Sequence, residues 1–288
     1  MLAPFFLSKD QRAFSFDASI PPVLEIDPGD AVTFETGDVA YERLASGETV
    51  EAIGLESFNA VTGPVAVRGA APGDALEIEV LDVAVTRAWS VWLPGFGGLG
   101  ARTDELVTRE IPIEGGRARI SDTLTVPVEP MIGCIGVASG EGASSTYQPA
   151  YPWGGNMDLR ELEPGATLYL PVQVPGALLA MGDLHAAMGG AEATWVSLEA
   201  AGQATLRIGL EKEMRLSTPR LHVDGSTICV GMGETLEAAQ QDALDQAYEL
   251  LLSLGLERFE AYAYASARVG MRLGGPASPI VLAVVPDP

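Results

Sequence analysis

The chain has 288 residues, 47% of them hydrophobic, and a formal net charge of −22 at pH 7. This size and apolar content suffice for one large domain or two. Such a negative charge repels phosphate backbones and anionic membranes, so we expect no nucleic-acid partner and no membrane partner. The charge also favours a neutral or cationic small substrate over an anionic one.

The N-terminal segment and the cysteines bear on the compartment. Residues 1–11 carry a short apolar patch without a basic lead-in or a credible cleavage site, so we expect no signal peptide. No apolar run approaches the roughly 18 residues that a membrane-spanning helix needs. Cys134 and Cys229 are the only cysteines and cannot form a disulfide framework, so a reducing cytoplasm is the expected location.

Three segments in the first two-thirds of the chain place Pro-Gly directly before an alternating strand pattern. They are residues 25–36, 68–80 and 160–172. Proline presets φ at the second position of a type II turn, and glycine supplies the positive φ at the third. In the second segment Leu76, Ile78 and Val80 alternate with glutamates, and residues 206–210 repeat the alternation. Many short strands with Gly and Pro turns favour a sandwich or barrel-like sheet assembly.

Helical patterns appear only near the end of the chain. Thr235 can cap a helix whose apolar residues follow the 3.6-residue period up to Leu254, and Gly255 is placed to end it. Residues 257–268 predict a second helix, and residues 279–285 predict a final apolar strand.

This order of strands, then helices, then a strand predicts the α+β class, with a β-rich sandwich or barrel-like body and a smaller C-terminal α/β lobe. A soft boundary near Thr218 divides a β-rich body, residues 1–218, from a helical α+β lobe, residues 219–288. No long flexible linker separates the two parts. We therefore expect interlocked lobes, which could form one domain.

The stretch from Tyr151 to Glu199 sets polar residues among glycines and apolar residues. Its polar clusters are Asn156 with Asp158, Asp183 with His185, and Glu192. Asp183 and His185 are two positions apart, so they would point to the same face of a strand. An imidazole with carboxylates is a ligand set that suits zinc.

This stretch also resembles the acetamidase/formamidase family. The resemblance rests on G-G-N-M-D (154–158), L-Y-L-P-V (168–172) and G-A-L-L-A-M-G-D-L-H-A-A-M-G (176–189). Blocks similar to the family occur in the same order at residues 14–26, 34–38, 59–65, 93–100 and 130–138. The resemblance therefore covers nearly the whole chain.

The resemblance implies a metal-dependent hydrolase of small linear amides that releases ammonia and a carboxylate. It implies a small neutral amide as substrate, and we expect a homo-oligomer, a dimer or larger. The expected metal ligands are His185, Asp183 and Asp38, the last because the matching family position is acidic. Asp158 and Glu192 are alternative carboxylate ligands. Zinc is the expected ion, with calcium as the alternative because several carboxylates also suit it.

Three further residues are assigned to catalysis. Glu192 is expected to act as general base or as a ligand, and Asn156 and Asp158 are expected to form part of the site. Trp153, with Gly154 and Gly155 beside it, is expected to line the substrate pocket.

One position departs from the family pattern. Gly190 stands where the family carries an acidic residue. This keeps an alternative open, in which the chain is a non-catalytic or altered-substrate member that binds a metal and a small ligand on the same scaffold.

Covalent amidase mechanisms are disfavoured by composition. Cys134 lies in an apolar strand, where a cysteine behaves as a small hydrophobic residue. Thiol and serine amidases of known type also need a lysine, and the only lysines, Lys9 and Lys212, lie outside any suitable pattern.

Overall fold

The computed structural model describes residues 4–276 and 278–287. Strands dominate the first part of the chain. The first eleven are β1 Phe5–Leu7, β2 Arg12–Ala13, β3 Ser15–Phe16, β4 Leu24–Ile26, β5 Asp30–Thr36, β6 Val61–Val67, β7 Ala75–Trp92, β8 Val107–Ile111, β9 Ile113–Glu114, β10 Arg117–Arg119 and β11 Thr125–Pro127.

The remaining strands follow in chain order. They are β12 Met131–Gly136, β13 Ser144–Ser145, β14 Gly154–Asn156, β15 Thr167–Pro171, β16 Leu179–Ala187, β17 Leu198–Glu211, β18 Arg220–Val223, β19 Ser226–Met232, β20 Gly270–Leu273 and β21 Ile280–Pro286.

The helices fall into two groups. The α-helices are α1 Val39–Ala45, α2 Val50–Ile53, α3 Leu236–Ser253 and α4 Arg258–Arg268, and short 3-10 turns lie at Leu55–Ser57, Gly100–Arg102 and Gly190–Glu192. This confirms the predicted α+β class with a strand-rich body. No helix in the described ranges combines the length and apolarity that a bilayer crossing needs.

The three Pro-Gly segments form the predicted turns. Gly29, Gly73 and Gly165 have φ values of 97°, 98° and 98°. A positive φ is the conformation that the third position of a type II turn requires and that glycine adopts without strain. Each turn leads into a strand, namely β5, β7 and β15.

One large sheet organises the body. β17 pairs antiparallel with β7 over most of its length and with β5 on its other side. β16 pairs with β12, β6 and the first residues of β17. The buried face of this sheet carries the main core, in which side chains such as Phe34, Ile78, Ile135 and Leu168 are almost fully buried. Burial of each such side chain contributes about 1.5–3 kcal/mol.

The C-terminal part of the chain continues the same sheet. β15 pairs with β18, and β19, β21 and β20 follow in order. The helix α3 covers β19 and β21 with a stripe of fully buried alanines, Ala239, Ala243 and Ala247. A Cβ atom at Gly231 would collide with the backbone of this helix, so glycine allows the close contact. The division of the chain near residue 218 stays a prediction.

The predicted ends of α3 are confirmed. The Thr235 hydroxyl accepts a hydrogen bond from the backbone N–H of Ala238 at 3.1 Å, which satisfies one free donor of the first turn. Gly255 follows the helix with φ of 93°. Here the local sequence alone determines both ends of the helix.

Candidate active site

A cavity of about 360 Å³ opens next to the ends of β14, β16 and β17. Its floor carries four carboxylates and one imidazole. These side chains belong to Asp158, Asp183, His185, Glu192 and Glu199. The side chains of His185, Asp158, Asp183 and Glu199 are each at most 5% exposed to solvent.

Sheet register brings these residues together. Asp183 and His185 both lie on β16, and the register of β16 with β17 places Glu199 opposite His185. Asp158 follows β14, and its backbone N–H donates to the carbonyl oxygen of Gly133 on β12 at 3.1 Å. Residues far apart in sequence therefore meet because β12, β14, β16 and β17 are neighbours in one sheet.

Three of the acidic residues have a left-handed backbone. The φ values are 46° at Asp158, 55° at Asp183 and 37° at Glu192. This region is uncommon outside glycine, and residues held there cost on the order of 1–3 kcal/mol each. Such strained residues often cluster at active sites and ligand-binding sites, and these three all line the cavity.

His185 lies at the centre of the cluster. Its Nε2 atom is 3.4 Å from Oε2 of Glu199, 3.6 Å from Oδ2 of Asp183 and 3.8 Å from Oδ1 of Asp158. Burial by itself lowers the pKa of His185, but the carboxylates of Glu199 and Asp183 outweigh burial and raise it well above the ordinary value. The imidazole therefore interacts directly with several acidic groups.

Glu199 is fixed by hydrogen bonds on both oxygens. Oε1 accepts from the backbone N–H of Ser197 at 2.8 Å, and Oε2 accepts from the hydroxyl of Tyr41 at 3.0 Å. Burial raises the pKa of Glu199, but the charge of His185 and these hydrogen bonds outweigh burial and lower the pKa to about 2. Glu199 is therefore a carboxylate with a fixed orientation.

The pKa values of Glu192 and Asp158 shift in the opposite direction to that of Glu199, namely upward. Burial and the neighbouring Asp158 raise the pKa of Glu192 to about 10. Burial also raises the pKa of Asp158 well above its ordinary value. Asp158 Oδ1 is buried and has no hydrogen-bond partner among the residues that the structure describes. A buried polar atom without a partner is costly, so this oxygen is available to a ligand.

The charges of the cluster do not balance. Four carboxylates against one imidazolium leave three negative charges, and no lysine or arginine lines the cavity in the described part of the chain. Buried charges of one sign require protons or a bound cation. The floor of the cavity therefore has the electrostatics of a cation site.

The spacing of the ligand atoms fits one metal ion. Asp158, Asp183 and His185 each offer an atom within 4.8 Å of the others, and so do His185, Glu192 and Glu199. Two atoms bound to one zinc ion at about 2.1 Å in a tetrahedral arrangement are about 3.4 Å apart. The separations around Nε2 of His185 are 3.4–3.8 Å, which equals or slightly exceeds that distance.

The side-chain amides of Asn59 and Asn156 orient a hydrogen-bond donor beside the acidic cluster. Nδ2 of Asn59 donates to Oδ2 of Asp183 at 2.9 Å and to Oδ1 of Asn156 at 3.1 Å. Because a carboxylate can only accept, the first bond fixes the nitrogen of Asn59, and the second then fixes the oxygen of Asn156. The NH₂ group of Asn156 is left to donate to another group in the cavity.

The structure does not bring Asp38 into the cluster. Its carboxylate accepts hydrogen bonds from Nε of Arg87 at 2.6 Å, Nη2 of Arg87 at 2.8 Å and Nε1 of Trp89 at 2.7 Å. Burial raises the pKa of Asp38, but these donors and the charge of Arg87 outweigh it and lower the pKa. Asp38 is thus saturated by protein donors away from the cavity.

The predicted pocket residues also lie elsewhere. Trp153 packs against the main core and stacks on Tyr151 with ring centroids 5.3 Å apart. Gly154 and Gly155 form buried positions of β14, paired with β12. Among the described residues that line the cavity, none of these three is present. The other predicted site residues, Asn156, Asp158, Asp183, His185 and Glu192, do line it.

Sequence reasoning missed Glu199, Tyr41 and Asn59. Glu199 closes the glycine-rich stretch, and Asn59 opens the block at residues 59–65 that resembles the family. Both positions could have been weighed on those grounds. Tyr41 lies in α1 with no signal around it, so only the fold shows that its hydroxyl reaches Glu199.

Cys134 and Gly190 are the positions on which the thiol mechanism and the non-catalytic alternative depend. Cys134 is fully buried, and burial raises the pKa of its thiol well above the ordinary value. Gly190 is exposed, and a Cβ atom there would have only Cδ of Arg160 within 4 Å, at 3.9 Å. Neither residue belongs to the acidic cluster.

Known proteins are similar to this chain over most of its length. The acetamidase/formamidase family matches residues 8–141 and 129–279. The crystal structure of an acetamidase from Bacillus halodurans is 35% identical with a TM-score of 0.89, covering 97% of this chain and 96% of that one. A predicted acetamidase/formamidase from Thermoanaerobacter tengcongensis is 30% identical with a TM-score of 0.90, covering 98% and 95%.

A curated relative is more distant. The formamidase of Methylophilus methylotrophus is 25% identical over 257 residues, which cover 67% of this chain and 62% of the relative. The chain thus matches less than two-thirds of the length of that formamidase.

Proposed function

Because the chain belongs to the acetamidase/formamidase family, we propose that it hydrolyses the carbon–nitrogen bond of a neutral carboxamide, releasing ammonia and a carboxylate. The observation that carries the proposal is the convergence of four carboxylates and His185 on the floor of one cavity. A formamidase and an acetamidase among the similar proteins support amide chemistry.

We assign a divalent metal to this floor, with Asp158, Asp183 and His185 to hold it and Glu199 at the edge of the set. Zinc is favoured over calcium because an imidazole is a common zinc ligand, whereas calcium takes oxygen ligands. When bound, such an ion supplies Lewis acidity toward a carbonyl oxygen and toward water. Asp38, which the sequence suggested as a ligand, is replaced in this assignment by Asp158.

Glu192 is the group that we assign to proton transfer. Its carboxyl group lies in the cluster with His185 and Glu199, where as a carboxylate it can take the proton of an attacking water. The same oxygen can then deliver that proton to the amide nitrogen as the carbon–nitrogen bond breaks. Water thus adds to the carbonyl carbon, and ammonia leaves with the transferred proton.

Asn156 is the group that we assign to the developing negative charge. Its oxygen is held by Asn59, so its NH₂ group can donate to the carbonyl oxygen of the substrate. Fixed donors of this type stabilise the tetrahedral intermediate more than the ground state, and loss of one typically costs about 100–1000-fold in kcat.

The experiment pairs metal analysis with ammonia release. The purified protein should contain about one divalent ion per chain by elemental analysis and should release ammonia from a set of neutral amides that spans formamide to phenylacetamide. Removal of the ion by a chelator should abolish release, and zinc should restore it. A metal-loaded protein that releases no ammonia from any of these amides would sink the proposal.

The position of Gly190 in the structure gives no support to the non-catalytic alternative. That alternative was based on Gly190, which is exposed and lies outside the cluster. All four carboxylates of the floor are present in this chain, so the catalytic proposal is the better supported one. The ammonia assay also distinguishes the two alternatives.

Two finer expectations accompany the proposal. We place the enzyme in the reducing cytoplasm, which is supported by the two buried free thiols, Cys134 and Cys229. We also expect a homo-oligomer, supported by exposed apolar side chains of the C-terminal lobe such as Phe259, Tyr262 and Leu273. Light scattering of the purified protein measures its mass.

A further inference from the structure

The cavity above the carboxylates is much larger than a formamide or acetamide needs. Its volume is about 360 Å³. Formamide and acetamide are comparable to a few water molecules, each of which takes about 30 Å³ in the liquid. A cavity of roughly 300 Å³ or more is the size that takes larger organic ligands. Most of this space would therefore stay empty or wet around a very small amide.

The outer wall of the cavity is apolar and largely aromatic. It includes Leu55, Phe58, Val91, Phe96, Tyr147 and Trp195. Leu55 and Trp195 are each 40% exposed, so part of their apolar surface is accessible to a molecule in the cavity. Aromatic rings of this kind bind apolar and aromatic groups by edge and face contacts.

Ring contacts connect this wall to the acidic floor. Phe58 packs edge-on against Tyr41, with centroids 5.2 Å apart, and the hydroxyl of Tyr41 donates to Glu199. Phe96 packs edge-on against Trp195, also at 5.2 Å. A substrate whose amide lies at the carboxylates would therefore place its acyl group directly among these rings.

Backbone contacts hold Trp195 in this wall. Trp195 has φ of 62°, a strained value for an aromatic residue, and its backbone N–H donates to the carbonyl oxygen of Glu192 at 2.8 Å. The backbone N–H of Gly98 donates to Ala193 at 3.0 Å, and a Cβ atom at Gly97 would collide with Thr194. The glycine-rich segment 93–100 thus fixes the turn that carries both Glu192 and Trp195.

The charge of the cavity restricts the acyl group further. In the described chain its lining contains carboxylates and no lysine or arginine. An acyl group with its own carboxylate would meet repulsion from the floor, which four carboxylates keep negative even with a divalent ion bound, and would find no lysine or arginine to pair with. The acyl group that fits is therefore not anionic.

We propose that the preferred substrates are primary amides with an aromatic or similarly bulky apolar acyl group, for which the wall around Trp195 is the specificity-determining surface. This inference rests on the proposed amide hydrolysis and names its substrate class.

The test compares phenylacetamide with acetamide. A single methylene group in an apolar pocket changes kcat/KM by about 10–200-fold, so a ring should raise kcat/KM over acetamide by at least about 100-fold. The ratio of the two values should fall at least about 10-fold in Trp195→Ala and in the milder Phe96→Leu. Phe6→Ala, which removes an aromatic side chain that is 57% exposed on β1, should leave the ratio unchanged.

Binding separates this inference from the proposed function. Calorimetric titration should detect phenylacetamide binding to wild-type protein, with weaker binding to Trp195→Ala. Equal kcat/KM for both amides, or a ratio that neither wall variant changes, would overturn the substrate class and leave amide hydrolysis intact. If neither amide is hydrolysed, binding that depends on Trp195 supports the pocket assignment, and no binding overturns it.

Discussion

A Cβ atom added to Gly133 would lie 2.8 Å from Oδ2 of Asp183 and equally close to Oδ1 of Asp158. Carbon and oxygen atoms that are not bonded do not approach this closely, so the two carboxylates fill the space that any side chain at position 133 would need. The carbonyl oxygen of Gly133 also accepts the backbone N–H groups of Met157 and Asp158. A glycine in the apolar strand β12 is thereby an integral part of the acidic floor.

Gly133→Ala should therefore disturb the floor directly. The added methyl group must displace Asp158 or Asp183, and overpacking of this kind typically costs about 1–3 kcal/mol in the free energy of unfolding. Metal affinity should fall together with stability, measured by calorimetric titration with zinc and by chemical denaturation. Gly270→Ala is the matched control, since a Cβ atom there has nothing within 4 Å. Unchanged zinc affinity in folded Gly133→Ala would contradict the assignment of these acids to the metal.

Glu199→Gln tests the residue that sequence reasoning missed. The amide removes one negative charge and keeps only one acceptor oxygen, so the hydrogen bond from the Ser197 N–H or the one from the Tyr41 hydroxyl is lost or reversed. Outer partners of metal ligands typically contribute about 10–100-fold in affinity, so zinc affinity should fall by that range. Glu211→Gln, at the exposed end of the same strand, should bind zinc as the wild type does. Competition with a chromophoric chelator measures both affinities.

The site was predictable to the extent that it lies in one continuous stretch. Asn156, Asp158, Asp183, His185 and Glu192 all fall between residues 151 and 199, and all reach the cavity. The Pro-Gly turns and the capped helix α3 were equally predictable, since each depends on residues a few positions apart.

Long-range partners were not predictable. Asp38 has the same local pattern whether it binds a metal or Arg87. Arg87 on β7 reaches Asp38, which follows β5, only because β5 and β7 lie on the two sides of β17. Trp153 abuts two glycines in either case, but the pairing of β14 with β12 leaves its side chain against the core. Such outcomes depend on strand order and register, which local sequence does not encode.

Asp38→Asn should lower stability and leave the metal in place. Breaking a buried ion pair costs about 3–5 kcal/mol, and the effect should be nearer 1–3 kcal/mol here because the Arg87 side chain is 34% exposed. The melting temperature should fall, while the zinc content by elemental analysis should match the wild type. Loss of zinc from the folded variant would instead restore Asp38 as a ligand.

The same ion pair predicts a pH dependence. The pKa of Asp38 is lowered in the folded protein, so the stabilisation is fully present above the unfolded value of about 4 and is lost as the pH falls through the folded pKa. The difference in melting temperature between wild type and Asp38→Asn should therefore be constant near neutral pH and narrow below about pH 4. A difference that grows on acidification would contradict the lowered pKa.

Gly190→Asp restores an acidic residue at the position where this chain departs from its family. Gly190 is exposed and its φ is not positive, so an aspartate fits without backbone strain. The nearest atom to its Cβ would be Cδ of Arg160, at 3.9 Å, and an exposed ion pair with that arginine contributes only about 0–1 kcal/mol. Because the new carboxylate would face Arg160 rather than His185, we expect kcat/KM and zinc affinity to stay within about twofold of the wild type.

Gly190→Ala separates the effect of a side chain from that of its charge. A rise in turnover of about tenfold or more for aspartate, but not for alanine, would show that the acid reaches the metal site and that the exposed conformation of this turn is not the one in which catalysis occurs.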